Sequence, residues 1–207
     1  MLKKIIIKLN ERKYQNVIKK NNHNLDFSLI SNNCISGIIY HNLGLKFRSP
    51  TINLYIAGED YLHFVKDIHY YLSHELIEQN DSDKDYPIGN IAGDDTHKSI
   101  AINFLHYKSF EVAKEKWEER SKRINWNNVF YVWEFYDNLY DIELIHEFDS
   151  LPINKMCIIH RDIPGIKNKC VIETGNVSGK LFEYDGLTGK RFLDRFDYIA
   201  FLNTLLS

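Results

Sequence analysis

The feature that most constrains this 207-residue chain is an alternation of two periodicities. Short runs of β-branched and apolar residues recur at 25–30, 51–56, 99–105, 128–134, 155–159 and 170–174. Between several of them lie stretches in which apolar residues return every three or four positions, the spacing of a helix with one buried face. A helical crossover brings the next strand back in the same direction, so such a pattern builds βαβ units rather than hairpins. The expected fold is therefore α/β. It has a largely parallel central sheet flanked by helices, three-layer and Rossmann-like, with an N-terminal helix. Residues 1–24 read as that basic helix and its linker, and 25–207 as a single α/β domain.

The helical stretches carry their own punctuation. Residues 2–20 form a basic amphipathic helix with Ile6, Leu9, Lys13 and Val17 roughly on one face. Its basic side suits a membrane surface or a phosphate, and a solvated face is the plainer reading. A helix over 34–43 is closed by Gly44. Gly58-Glu59-Asp60 opens a long helix through Tyr61, Phe64, Val65, Ile68, Leu72 and Leu76. Residues 79–85 read as polar and exposed, and 86–95 as a loop or a short strand and turn. Ser109 N-caps a helix to about Ile124 that buries Phe110, Ala113 and Trp117. Shorter helices are expected at 138–148 and 190–206.

Charge and cysteine usage exclude several classes. With 26 Lys and Arg against 28 Asp and Glu, the chain has no positive field to hold nucleic acid. Three cysteines without a C-x-x-C pattern argue against a disulfide framework or structural zinc, and point to a reducing cytoplasm. The apolar run near the start, Ile5-Ile6-Ile7, is too short for a signal peptide, and no run is long enough to span a membrane. A soluble cytoplasmic protein is expected, with docking on a membrane-bound assembly left open. No G-x-G-x-x-G or Walker loop is present, so no dinucleotide or P-loop cofactor is expected. His63, His69 and His74 do not stand at the i, i+4 spacing of a metal pair, and no metal is expected.

In a parallel α/β sheet, ligands sit beyond the carboxyl ends of the strands. The first run climbs into Ser31-Asn32-Asn33-Cys34 and turns helical. Later runs deliver Glu59 and Asp60, then His106 and Tyr107, then Glu134 and Asp137, then His160, Arg161 and Asp162. A thiol at a helix N-terminus is stabilised as thiolate, and a histidine beside it can take its proton. Cys34 and His106 are thus the catalytic candidates. Asn32 and Asn33 offer amide donors to an oxyanion. Ser31, Asn32, Asn33, Tyr40, Tyr107, Arg120, Arg123 and His160 are the substrate-binding candidates, the two arginines for a phosphate or carboxylate. Against the thiolate stands a plainer role for Cys34, as a packing or ligand-contact residue, because free cysteine is among the most buried residue types. The 13 tyrosines suit a polar, ring-shaped ligand such as a sugar.

Several ordered motifs carry a family resemblance. They are Ser31-Asn32-Asn33-Cys34 with Gly37 and Tyr40, Ser49-Pro50-Thr51, Glu59-Asp60-Tyr61, Tyr86-Pro87-Ile88-Gly89 and Phe104-Leu105-His106-Tyr107-Lys108-Ser109. Further along come Ala113, Trp117, Arg120 and Arg123-Ile124-Asn125, then Phe196-Asp197-Tyr198 and Phe201-Leu202-Asn203. From about Asp26 to Asn203 the chain resembles the bacterial family known as domain of unknown function nineteen-nineteen. Where that family commonly has Trp and then Gly-Gly after the cysteine, this chain has Ile35-Ser36-Gly37. The resemblance implies exopolysaccharide or capsule biosynthesis, and sometimes acetyl transfer. The leading expectation is transfer of an acyl group to a sugar or polysaccharide precursor. The alternatives are a non-covalent glycosyl- or phospho-sugar transferase, or a non-catalytic sugar-binding assembly subunit.

Overall fold

The computed structural model describes residues 2–136, 142–175 and 177–206. Asp137 and the opening of the helix expected at 138–148 lie outside the described residues. In chain order the elements are α1 (Leu2–Asn21), β1 (Ser28–Ser31), α2 (Ile35–Leu43), β2 (Tyr55–Ile56), α3 (Gly58–Lys66), α4 (Ile68–Ser73), β3 (Leu76–Gln79), β4 (Ile88–Ile91), β5 (Ile100–Asn103), α5 (Phe110–Ser121), β6 (Val129–Phe135), α6 (Ile142–Ser150), β7 (Lys155–Ile159), β8 (Lys169–Val171) and α7 (Tyr198–Asn203). The caps read from sequence are present: Gly44 is left-handed at φ 68°, and Ser109 accepts a hydrogen bond from the Val112 N–H.

The strands divide into two sheets, which revises the expectation of one largely parallel sheet. The order β1-β6-β7-β8 is parallel throughout, with Ser31 opposite Val132 and Phe135 opposite Ile159. The runs at 51–56 and 99–105, expected in the same sheet, instead form the antiparallel order β2-β5-β4-β3. The cause lies in the helix before β3. Asp67 leaves helical geometry at φ −141° and ψ 66°, and its carboxylate accepts the Tyr70 N–H at 3.1 Å. It ends α3 and caps α4, so Leu76 begins a strand instead of ending a helix. Gly89 then permits close pairing, since a Cβ there would lie 2.6 Å from Leu76 Cδ1. The final helix is also interrupted. Phe192–Arg195 is a 3-10 turn, and Asp197 starts α7 afresh by accepting the Ala200 N–H at 3.0 Å.

β6 is buried along its whole length between two cores. Tyr131, Trp133 and Phe135 face one core with Tyr61, Phe64, Trp117 and Phe148. Phe130 and Val132 face the other with Phe27, Ile39, Leu193 and Tyr198. Each such side chain contributes roughly 1.5–3 kcal/mol through burial.

α1 turns a different face inward from the one its apolar residues suggest. Ile18 is buried, while Leu9 and Val17 are more than half exposed. Specific polar contacts set this orientation. Asn10 Nδ2 donates to Leu187 O at 2.8 Å, the Tyr184 hydroxyl donates to Glu11 at 2.8 Å, and Arg191 pairs with Glu11 at 3.1 Å. Gly189 allows the approach, because a Cβ there would lie 2.2 Å from the Glu11 backbone nitrogen.

Tyr61 pins α3 to the seam of the parallel sheet. Its fully buried hydroxyl lies 3.0 Å from both Ile30 O on β1 and Val132 O on β6. Tyr61→Phe should cost about 1–2 kcal/mol in urea denaturation. An unchanged midpoint would remove the hydroxyl from any part in holding the seam.

Candidate functional site

The corner after β1 is a lattice of buried side chains. Asn32 extends the β1–β6 ladder by two bonds: its Nδ2 donates to Glu134 O at 3.2 Å, and its Oδ1 accepts the Glu134 N–H at 3.0 Å. Asn32 O also accepts the Ile56 N–H at 2.8 Å, which ties the second sheet to the first. The Ser31 hydroxyl donates to Asn33 O at 2.7 Å and accepts the Ser36 N–H at 3.1 Å. Asn33 Oδ1 accepts the Ile35 N–H at 3.2 Å. The first free N–H groups of α2 are therefore capped from within the corner. Cys34 stands at the N-cap position and its side chain makes no cap bond.

Beneath the corner lies Glu134, a carboxylate with no solvent exposure at the carboxyl end of β6. Asn33 Nδ2 donates to its Oε2, and the Tyr136 hydroxyl donates to its Oε1. His160, at the end of β7, is also buried. Its Nε2 stands 3.3 Å from Glu134 Oε1, off the line of a hydrogen bond. Its Nδ1 lies 2.7 Å from the Thr174 hydroxyl and 3.1 Å from Ile172 O. The imidazole stacks on the Tyr136 ring at 4.9 Å. Tyr136 in turn receives hydrogen bonds from Gly179 and Ser178. Burial, then the charge of Glu134, pushes its phenol far above the usual range, so it stays protonated.

A cavity of about 830 Å³ opens above this cluster. Asn33, Cys34, Gly37, Ile38 and His41 supply one wall from α2 and the corner before it. Phe47, Tyr55, Tyr136 and Phe182 add aromatic surface, and Asn53, Ser178 and Arg191 add polar groups. Leu105 and His106 reach it from the loop after β5. The size suits a drug-sized or sugar-nucleotide-sized ligand.

The candidate residues separate into distinct groups. Asn33, Cys34 and His106 line the cavity. Ser31 and Asn32 are buried in the corner lattice, with their side chains engaged to backbone. The Tyr40 hydroxyl donates to Phe27 O at 3.0 Å and accepts the Leu29 N–H at 3.2 Å, which makes it a brace for β1. The Tyr107 hydroxyl donates to Ile52 O at 2.9 Å and receives Arg120 at 2.6 Å. Arg120 also lies 5.2 Å over the Phe47 ring, and Arg123 donates to Phe47 O at 3.3 Å while pairing with Glu119. The two arginines hold the Phe47 wall from behind, and neither lines the cavity. His160 belongs to the cluster below. Sequence reasoning reached Glu134 only as a strand end and missed Tyr136, His41, Phe182 and Arg191. One signal was available for Glu134, which is the lone charge in the run Val129–Phe135.

The thiolate expectation for Cys34 is corrected by its surroundings. Burial, then the charge of Glu134, pushes the thiol up to about 11. No hydrogen bond joins its sulfur to His106 or His160 among the described residues. At neutral pH it is a thiol in the cavity wall.

The geometry defines a mixed α/β protein with a ligand-sized cavity at the carboxyl edge of its parallel sheet and a buried carboxylate under the floor. The profile of the family described as Domain of unknown function (DUF1919) matches residues 3–203, and the chain belongs to that family. It is similar to an uncharacterized protein of Haemophilus influenzae, 34% identical over 184 residues, which cover 87% of this chain and 85% of that one.

The raised thiol gives a direct expectation. Because only the thiolate alkylates, the rate at Cys34 should climb about tenfold per unit from pH 7 to pH 9.5. Mass spectrometry after iodoacetamide resolves it from Cys157 and Cys170. A plateau below pH 8 would mean an activated cysteine.

Proposed function

We propose that this chain transfers an acyl group to a hydroxyl of a sugar precursor in surface-polysaccharide biosynthesis, by direct attack and without an acyl-enzyme. The observation that carries this reading is the cavity itself. Aromatic faces of Phe47, Tyr55 and Phe182 suit the apolar faces of a sugar ring, while Asn33, Asn53 and Ser178 offer hydrogen bonds to its hydroxyls. His106, an exposed imidazole of the lining, is assigned the general base. It takes the proton of the attacking hydroxyl, and the leaving group of an activated acyl donor takes the electron pair.

Two features of the site favour direct transfer. The Cys34 thiol is held protonated at neutral pH, which suits a wall residue and not a nucleophile. The Glu134 cluster reaches the cavity through Asn33 and Tyr136, so the wall is fixed before a ligand arrives. His41 and Arg191 in the lining also support a second reading, a glycosyl- or phospho-sugar transferase. The surface-polysaccharide setting follows the family resemblance, and with it goes action in the cytoplasm against a membrane-bound assembly. The helices packed on both faces of the parallel sheet favour the Rossmann-like, three-layer description of the fold. Among the described residues, no helix is long and apolar enough to cross a membrane.

The test is acyl transfer from acyl-thioester donors to a panel of hexoses and their precursors. His106→Ala should lower kcat by roughly a hundredfold or more, and Cys34→Ser should keep most of it. Loss of turnover in a folded Cys34→Ser protein would restore the covalent route and overturn this one.

A further inference from the structure

The charge of the cavity lining says more about its ligand than its shape does. The whole chain carries slightly more acidic than basic side chains. Yet no Asp or Glu lines the cavity among the described residues, while His41, His106 and Arg191 do. Glu134 is closed off below by Asn33 and Tyr136, and Glu11 and Asp194 stand behind Arg191. The cavity thus has a lining that is basic where it is charged, with Glu134 closed off from it. His41 is on the last turn of α2, seven residues beyond Cys34, which at 1.5 Å per residue is about 10 Å along the helix.

Arg191 is the fixed cation of this lining. It is mostly buried, with its side chain 17% exposed. Its Nη2 reaches Glu11 at 3.1 Å and Tyr184 Oη at 3.4 Å, and its guanidinium lies 4.9 Å over the Tyr184 ring. Those contacts use Nη2 and one face. Nη1 and Nε have no partner among the described residues. Glu11 and the close approach at Gly189 hold the guanidinium in place from α1. Its carboxylate neighbours, Glu11 and Asp194, lie outside the lining, and Nη1 and Nε remain to donate to an anion in the cavity.

Resting on the reading of the cavity as a sugar site, we propose that the sugar it takes carries a phosphate ester, whose anionic oxygens are held by Arg191 together with His41. The acceptor is then an activated precursor, a sugar phosphate or nucleotide-sugar, and the transfer precedes the step that joins sugars with loss of that phosphate. A finished neutral polymer lacks the group this lining is built to hold.

Calorimetric titration of the full chain tests this with glucose, galactose and N-acetylglucosamine, each as free sugar, 1-phosphate and uridine diphosphate derivative. At least one phosphorylated form should bind about tenfold or more tightly than its parent sugar, as expected for added charge-assisted hydrogen bonds. The 1-phosphate and uridine diphosphate arms then say which precursor is meant. Arg191→Gln should remove most of that preference. Glu11→Gln, which keeps the guanidinium but takes away its brace, should retain it. His41 is exposed, so His41→Gln should weaken the phosphorylated form by a larger factor than the parent sugar. The proposal is overturned if parent sugars bind as well as every phosphorylated form, or if the preference survives in both Arg191→Gln and His41→Gln; the sugar reading would then stand. Binding of no member of the panel would overturn both.

Discussion

A carboxylate without solvent exposure, at the end of a strand buried on both faces, is the constraint around which this molecule is arranged. Removing such a charge from water costs on the order of several kcal/mol unless other groups replace the water. Glu134 has those groups. Asn33 and Tyr136 donate to its two oxygens, and His160 stands beside it. Each partner comes from a different segment, so the carboxylate can be satisfied only when β1, β6 and β7 are in register. The same contacts fix the floor of the cavity, because Asn33 and Tyr136 are lining residues as well as donors. Satisfying the charge and shaping the site are one event.

The corner after β1 joins the two sheets. Asn32 bonds to the Glu134 backbone with its side chain and to Ile56 with its carbonyl, so one residue holds β6 and β2 together. Ser31, Ser36, Ser49 and Thr51 continue this lattice with short side-chain bonds, among them Ser36 Oγ to Thr51 O at 2.7 Å and Ser49 Oγ to Thr51 Oγ1 at 2.9 Å. The small polar residues that suggest chemistry are here mostly architecture. What they support is the wall formed by Asn33, Cys34 and Gly37. Across the cavity, the loop at Ser178 and Gly179 is tethered to Tyr136, and through it to the buried carboxylate.

Local signals were legible in the sequence, and long-range ones were not. Gly44 and Ser109 act within one turn of their own helices, and both ends fall where their chemistry dictates. The strands at β6 and β7 were legible from their apolar runs. The direction of β2 and β5 was not, because an apolar run carries no mark of its partner's orientation, and the deciding break at Asp67 lies in a stretch whose apolar spacing continues across it. Cys34 was correctly placed at a helix N-terminus. Its chemistry went the other way, because burial and the charge of Glu134 push the thiol up, and Glu134 is a hundred residues away in sequence. Arg120 and Arg123 looked like an anion site by residue type alone. Their partners Phe47, Tyr107 and Glu119 turn them into a brace. Arg191 had no motif at all; the contact with Glu11 that positions it spans nearly the whole chain.

The central claim is that a charged Glu134 lies directly under the cavity wall and sets its electrostatics. The most direct measurement is the pH profile of Cys34 alkylation in Glu134→Gln beside that of the unaltered chain, with near-ultraviolet circular dichroism to establish that packing is kept. Removing the negative charge should make the thiolate easier to form, so the profile should move to lower pH. A profile that stays in place in a folded Glu134→Gln protein would contradict the account.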